Sequence, residues 1–143
     1  MPTGIKRVYE EASRADGVRI LVDRLWPRGL SKTRAALDEW LRDVAPSDEL
    51  RHWYHARPEH WLMFRKKYLK ELTQTEPEAA LRHLYELSRR KKRLTLLFAS
   101  KNETRNNAVV LKELLDGMRK PPTGTGPGAV TAMRHRGAAV RRR

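Results

Sequence analysis

Charged residues that could hold an anion follow directly on a short apolar run near the N-terminus. Ile20, Leu21 and Val22 have the character of a buried strand, and Asp23 and Arg24 come immediately after them. An arginine guanidinium matches a phosphate or carboxylate with two parallel hydrogen bonds, and an adjacent aspartate can orient it or act as a base. We therefore predict a catalytic or orienting role for Asp23. The ligand-binding residues predicted in the same part of the chain are Arg24, Trp26, Arg28, Lys32 and Arg51.

A second polar segment follows another apolar run, Arg93–Ala99. Lys101 adds a positive charge just after this run, and Asn106 and Asn107 fall in the first turns of the helix predicted next. A helix N-terminus attracts anions because its first amide groups have no partner within the helix. If the two strands are parallel neighbours, their carboxyl ends meet at one edge of the sheet, where ligands bind in open α/β folds. We therefore predict that Lys101, Asn106 and Asn107 share one site with Asp23.

Each of these clusters also has a structural interpretation. Asp23 can form an ion pair with Arg24 or Arg51 that holds the following segment, and Trp26 can belong to the core. The paired asparagines can hydrogen-bond to a neighbouring loop instead of a ligand. The aromatic and basic residues between Leu50 and Trp61 can stack on nucleobases, although aromatic residues at helical spacing more often form core. The histidines in that stretch lack the carboxylate or cysteine partners typical of a metal site, so no metal is expected.

The elements that must position these residues alternate between strands and helices. Strands are predicted at Ile5–Tyr9, Val18–Asp23 and Arg93–Ala99, and about seventy residues separate the last two. That connection is mostly helical. The expected fold is α/β, with a small, mainly parallel sheet and a helical insert between its two main strands. The helices are predicted to begin at capping residues or prolines, namely Ser31, Ser47, Pro58, Thr75, and Asn102 or Thr104.

Two helix assignments are specific enough to be checked in detail. The helix after Ser31 is predicted to carry Leu37, Trp40, Leu41 and Val44 on one face, because these residues recur at helical spacing. The last helix is predicted to end at Asp116, with Gly117 in the left-handed conformation common after a helix.

Composition limits the classes of protein that this chain can represent. With 143 residues it has room for a single core, and the lack of cysteine excludes disulfides and thiolate chemistry. No apolar run is long enough for a membrane helix and no signal peptide is recognisable, so we expect a cytoplasmic protein with no membrane partner. No phosphate-binding loop or dinucleotide motif is found, and no cofactor is expected.

The positive charge is unevenly distributed. The formal net charge is +14, and seven basic residues but no acidic residue lie from Gly117 to the end of the chain. The segment Pro121–Gly128 is rich in proline and glycine and has no apolar period. We predict a folded domain over residues 1–116 and a disordered basic tail over residues 117–143. Such a tail is either a solubilising extension or a non-specific nucleic-acid binder that uses Arg134, Arg136, Arg141, Arg142 and Arg143.

Several of these motifs, in the same order, resemble the YeaO-like branch of domain of unknown function 488. The resemblance spans roughly residues 5–116 and is carried first by the run Val18–Lys32. It continues through Trp40–Asp43, Ala45–Ser47, Leu50, Arg51, Phe64, Tyr68, Glu71, Leu72, Leu94–Ala99 and Asn106–Glu113. What the resemblance implies is a bacterial or archaeal α/β protein of a family without an established activity.

One position departs from the family pattern. Members often carry histidine just before the paired asparagines, where this chain has Arg105. Arginine stays protonated near neutral pH and cannot serve as a general acid or base. The expected function is therefore binding or processing of a phosphorylated or nucleotide-like anion at the strand ends. The alternative is a non-catalytic nucleic-acid-associated protein that uses its basic tail.

Nucleic-acid binding by the basic tail predicts that the affinity depends strongly on the salt concentration. If about five tail charges engage phosphates, the log of the affinity for duplex DNA should fall against the log of the salt concentration with a slope of roughly −4 to −5. Fluorescence anisotropy with a labelled duplex over a range of NaCl concentrations measures this slope. Affinity that survives removal of the tail would place the binding surface on the domain instead.

Overall fold

Four strands form one sheet in the computed structural model, which describes residues 3–91 and 93–122. They are β1 (Gly4–Arg7), β2 (Val18–Leu21), β3 (Glu39–Trp40) and β4 (Leu94–Phe98). Their spatial order is β1-β4-β2-β3, and each neighbouring pair is parallel. The predicted α/β class with a small parallel sheet is therefore confirmed.

Five α-helices accompany the sheet in the described part of the chain. They are α1 (Lys32–Ala35), α2 (Asp48–Ala56), α3 (Trp61–Glu71), α4 (Thr75–Arg90) and α5 (Asn107–Gly117). Four of them lie between β2 and β4 in the sequence, as expected for a helical insert. Short 3-10 turns occur at Arg14–Asp16 and Arg42–Val44. None of the helices within the described ranges is both long and apolar enough to cross a membrane.

Strands β2 and β4 form the centre of the sheet and separate two cores. They run in register from Val18 beside Leu94 to Leu21 beside Leu97. Because successive strand residues face opposite sides, Ile20 belongs to a large core shared with helices α2 to α5, whereas Leu21 faces the other side. There, Leu21 and Leu97 pack with Leu30 in a smaller core. The parallel pairing places the carboxyl ends of β2 and β4 at the same edge of the sheet.

The predicted helix from Ser31 through Val44 is wrong beyond its first turn. Ser31 does cap a helix, since its hydroxyl accepts a hydrogen bond from the Arg34 amide. However, α1 ends at Ala35, and Ala36 after it is left-handed, with a φ of 48°. The chain then pairs with β2, because the Asp38 amide donates to the Arg19 carbonyl and the Leu41 amide donates to the Leu21 carbonyl. The open hydrogen-bonding edge of β2 thus determines the structure here, rather than local spacing.

The predicted starts of three other helices need correction. Thr75 is the first residue of α4 rather than its cap, and the side chain of the preceding Gln74 makes no capping bond. The cap of α5 is Asn106, whose side chain accepts from the Val109 amide, and not Asn102 or Thr104. The helix expected at Pro58 begins at Trp61 instead. The Ser47 cap is confirmed, because its hydroxyl accepts from the Leu50 amide.

The end of α5 also differs from the prediction. Gly117 is the last helical residue rather than a left-handed residue after the helix. Met118 follows it in an extended conformation and is buried against the large core. Burial of this apolar side chain favours a path that lies along the core, so no left-handed turn is needed. Of the tail predicted over residues 117–143, the part after Pro122 lies outside the described residues.

Gly17 is required at the turn into β2, and Gly29 provides a matched control. Both have positive φ values, 68° and 74°, but a Cβ on Gly17 would lie 2.4 Å from the Arg93 carbonyl oxygen. That oxygen accepts from the Val18 amide and cannot withdraw without breaking the pairing of β2. Around Gly29 no atom lies within 4 Å of the added Cβ.

We expect Gly17→Ala to lower the free energy of unfolding by about 2–5 kcal/mol, because backbone strain and a steric clash add. Gly29→Ala should cost only the backbone strain, about 1–2 kcal/mol. Urea denaturation followed by circular dichroism measures both losses. Equal losses for the two variants would show that the clash with Arg93 adds nothing to the cost of substituting Gly17.

Candidate functional site

The Asp23 side chain lies where the ends of β2 and β4 meet α5. Its Oδ2 accepts a hydrogen bond of 2.9 Å from the Ala99 amide at the end of β4. Its Oδ1 accepts one of 3.1 Å from the Asn107 amide group, which also donates to the Val22 carbonyl at 2.9 Å. The structure therefore brings Asp23 and Asn107 together, as the topology predicted, and both carboxylate oxygens have partners within the protein.

The loop between β4 and α5 is organised by its own asparagines. The Asn102 side chain accepts from the amides of Thr104 and Arg105, and the Asn102 carbonyl accepts from the Asn106 side chain at 2.7 Å. Asn106 is buried and caps α5. The structural interpretation of the paired asparagines is thus the one that their contacts support, because Asn106 holds its loop and Asn107 holds the strand ends.

Arg24 clamps the chain that leads into α2. Its Nε donates to the Pro46 carbonyl at 3.0 Å and its terminal nitrogen donates to the Ala45 carbonyl at 3.2 Å. The bonds to these two backbone carbonyls set the position of α2 relative to the strand end, so the main function of the Arg24 guanidinium is structural. The two carbonyls leave only part of its donor capacity for a ligand.

Arg51, in the first turns of α2, contacts side chains of its own helix, namely Asp48 and, at 3.5 Å, His52. Its charge acts on Asp23, and its terminal nitrogen lies 3.4 Å from a carboxylate oxygen of the exposed Asp48. Its Nε is buried and has no hydrogen-bond partner within residues 3–91 and 93–122. An unmatched buried donor is uncommon in proteins, since its desolvation costs about 1–3 kcal/mol. The described residues do not offset this cost, although the Arg51 side chain as a whole is 39% exposed.

The remaining predicted residues do not contact the Asp23 carboxylate. Trp26 is partly buried, donates to the Leu30 carbonyl and packs edge-on against Trp40 in the smaller core. Arg28, Lys32 and Lys101 are exposed, and their side chains form no ion pair or hydrogen bond within the described residues. The five arginines predicted to bind nucleic acid, at positions 134 to 143, lie outside the part of the chain that the structure describes.

Three groups beside Asp23 were not assigned to the site from the sequence. The Trp40 indole donates to the Asp23 carbonyl at 2.7 Å, and the buried Tyr68 hydroxyl donates to the Val44 carbonyl. The third group is the Ala99 amide, which the sequence cannot identify because it belongs to the backbone. The helical spacing of Tyr68 with Phe64 and Leu72 is typical of a core residue, but it carries no signal for the hydroxyl.

The electrostatics of the site follow from this packing. Burial raises the pKa of the Asp23 carboxyl above its ordinary value of 3.8, while the Ala99 amide, the Asn107 amide and the Arg51 charge lower it without cancelling the effect of burial. Burial also raises the pKa of Tyr68 well above its usual range, and the charges of Asp23 and Glu71 add to this rise. Tyr68 therefore stays a neutral donor beside the carboxylate.

The arrangement is better suited to binding than to proton transfer. Asp23 already accepts two hydrogen bonds that hold strand ends together, so moving its proton during a reaction would disturb the fold. Around it, Arg51 and the exposed Lys101 and Arg105 supply positive charge at the same edge of the sheet. Arg105 is close to α2, because its carbonyl accepts from the Tyr54 hydroxyl.

The sequence was compared with known proteins. A family model described as "Inactive DUF488-N3 subclade" (DUF488-N3i) matches residues 3–123. The chain is 49% identical over 110 residues to "Uncharacterized protein YeaO" of Escherichia coli, which covers 77% of this chain and 93% of that protein. Uncharacterised proteins of Mycobacterium tuberculosis and Mycobacterium bovis are each 42% identical over 113 residues, with 79% of this chain and 92% of theirs covered. No solved structure matches the chain.

Asp16 provides a comparison for the titration of Asp23. Burial raises its pKa, but hydrogen bonds from the Ser13 amide and from the cationic side chains of Lys6 and Arg19 lower it, and the net result is a pKa below 3.8. The two aspartates therefore depart from the ordinary value in opposite directions.

We expect the two carboxyl groups to affect stability with opposite dependences on pH. With its raised folded-state pKa, Asp23 contributes stability that is fully present below pH 3.8 and is lost as the pH rises through the folded pKa. The free energy of unfolding of wild type minus that of Asp23→Asn should therefore fall as the pH rises from about 4.

The same difference taken with Asp16→Asn should instead fall as the pH is lowered below 3.8, because the folded pKa of Asp16 is depressed. Urea denaturation across this pH range measures both differences. A flat profile for Asp23→Asn would show that burial does not dominate the titration of Asp23.

Proposed function

This chain belongs to the inactive DUF488-N3 subclade (DUF488-N3i), and from that premise we propose that it is a non-catalytic binding protein for a phosphorylated anion. The binding site is the edge of the sheet where β2 and β4 end. The family description favours binding over processing, and the presence of Arg105 where relatives with the family pattern often have histidine favours it too.

The observation that carries the proposal is the partly unmatched guanidinium of Arg51. Its buried Nε has no acceptor within the described residues, although the group lies close enough to Asp23 to lower the pKa of that carboxyl. Asp23 itself accepts from Ala99 and Asn107 and forms no hydrogen bond with Arg51 within the described residues. The Arg51 side chain as a whole is 39% exposed, and a phosphate that binds it forms charge-assisted bonds to the terminal nitrogens.

The neighbouring groups fit the same role. Lys101 and Arg105 are exposed on the loop after β4 and have no side-chain partners within residues 3–91 and 93–122. They add positive charge without steric constraint, so they attract a multiply charged ligand and tolerate ligands of different size. In this proposal Arg24 positions α2, and Asp23 orients the edge without taking part in chemistry.

The proposal is tested by thermal shift with inorganic phosphate and glucose 6-phosphate, at ionic strength held constant with sodium chloride. A ligand at a hundred times its dissociation constant should stabilise the wild-type domain by about 2.7 kcal/mol. Arg51→Ala should lose this stabilisation, because it removes the guanidinium that is proposed to bind the phosphate, while Arg51→Lys should keep part of it.

The matched control is Arg90→Ala, which removes an equal charge from an exposed position on α4 away from the strand ends. It should bind as the wild type does. Equal stabilisation of Arg51→Ala and wild type would exclude the strand-end site, and release of phosphate from glucose 6-phosphate would contradict a non-catalytic role.

A further inference from the structure

A cleft of about 470 Å³ lies between α2 and α3, apart from the strand-end site. Its size falls in the range of about 300–1,000 Å³ that is typical of small-molecule sites. Leu50 and Trp53 supply its apolar surface, and the other lining residues are polar or charged. These are Glu49, Lys67, Lys70, Glu71 and Gln74.

Trp53 has two cationic side chains over its aromatic ring. It is partly buried against the large core, and the Lys67 ammonium lies 5.2 Å from the centre of its ring. The Arg57 guanidinium lies 5.5 Å from the same ring. A base that stacks on this ring would take the place of the cations over it, and the displaced cations would meet the phosphate.

The two acidic residues in the cleft differ in what they can offer. Glu71 is already engaged, because its two oxygens accept from the Ser47 amide at 2.8 Å and from the Ser47 hydroxyl at 2.6 Å. Glu49 is exposed and has no ion pair or hydrogen bond within the described residues, and the same holds for the side chains of Lys70 and Gln74. The cleft thus combines available cations with available acceptors.

A nucleotide has the complementary groups. Its phosphate matches lysine ammonium groups, its base stacks on an indole, and its ribose hydroxyls and base amine donate to carboxylate and amide oxygens. Inorganic phosphate alone would leave the tryptophan and the acceptors unused. The mixed lining therefore favours a nucleoside phosphate over a simple anion.

We propose that the cleft between α2 and α3 binds a free nucleoside monophosphate. The base stacks on Trp53, the phosphate binds Lys67 and Lys70, and Glu49 and Gln74 accept from the ribose or the base. This site is distinct from the strand-end site, and it stands whether or not phosphate binds at Arg51.

The test is isothermal titration calorimetry of the full chain with adenosine 5′-monophosphate. Lys67→Ala combined with Lys70→Ala should weaken binding at least about tenfold, because two charge-assisted contacts are removed. Lys66→Ala is the matched control, since Lys66 is exposed on the same helix and does not line the cleft. Because the proposed strand-end site can also take this phosphate, the double lysine substitution is compared in the wild type and in Arg51→Ala, and it should weaken binding equally in both.

The aromatic contribution is tested with Trp53→Leu, which should abolish binding, and Trp53→Phe, which should retain it in part. Thermal denaturation without ligand shows whether either variant is destabilised, and the lysine variants remain decisive if one is. Adenosine, which lacks the phosphate, should bind more weakly than the monophosphate.

Five results would overturn the proposal. Four of them are failure of the wild type to bind adenosine 5′-monophosphate, an equal loss in Lys66→Ala, no loss from the double lysine substitution in Arg51→Ala, and equal binding of adenosine. A fifth is binding of oligodeoxyadenylate that depends on Lys67 and Lys70 when the monophosphate does not bind, which would assign the cleft to single strands instead.

Discussion

The carboxylate of Asp23 is the point at which three segments of this protein are joined. One oxygen holds the end of β4 through the Ala99 amide, and the other holds the start of α5 through Asn107. The backbone carbonyl of Asp23 accepts a hydrogen bond from the indole of Trp40, which lies on the edge strand β3. Loss of these bonds would leave polar groups without partners at a partly buried position, which costs free energy. The two central strands and the last helix therefore end where the Asp23 side chain can reach them.

This constraint shapes what the strand-end edge can do. Because Asp23 is committed to the backbone and to Asn107, the positive groups around it are not neutralised by it in direct ion pairs. Arg24 is used to position the chain before α2. Arg51 is left with a buried nitrogen that lacks an acceptor within the described residues. The edge therefore combines a centre whose hydrogen bonds are satisfied with cations at its rim.

Helix α2 connects this edge with the opposite side of the insert. Arg51 extends from it toward Asp23, whereas Trp53 lines the cleft that it forms with α3. The start of α2 is held twice, by the Ser47 hydroxyl within the helix and by Glu71 from α3. Two polar surfaces of different chemistry are thus supported by one short and firmly capped helix.

Local chemistry was enough to predict part of this structure. The apolar character of β2 and β4 predicted two buried strands, and the polar residues after each predicted the edge where Asp23 and Asn107 meet. The caps of α1 and α2 were also readable, because a serine hydroxyl bonds to an amide only three residues away. These features depend on residues near one another in the sequence, or on the general rule that parallel strands end together.

Tertiary structure decided the rest. The segment around Trp40 has helical spacing but pairs with β2, because the edge of that strand supplies backbone partners that no local pattern reveals. Likewise, the sequence marked Arg24 and Arg51 as equivalent cations, and only the fold distinguishes them. Arg24 donates to two carbonyls from a distant turn, whereas Arg51 keeps a buried donor without an acceptor in the described chain. Residue type sets which bonds a side chain can form, but which partners come within reach depends on the packing of segments far apart in the chain.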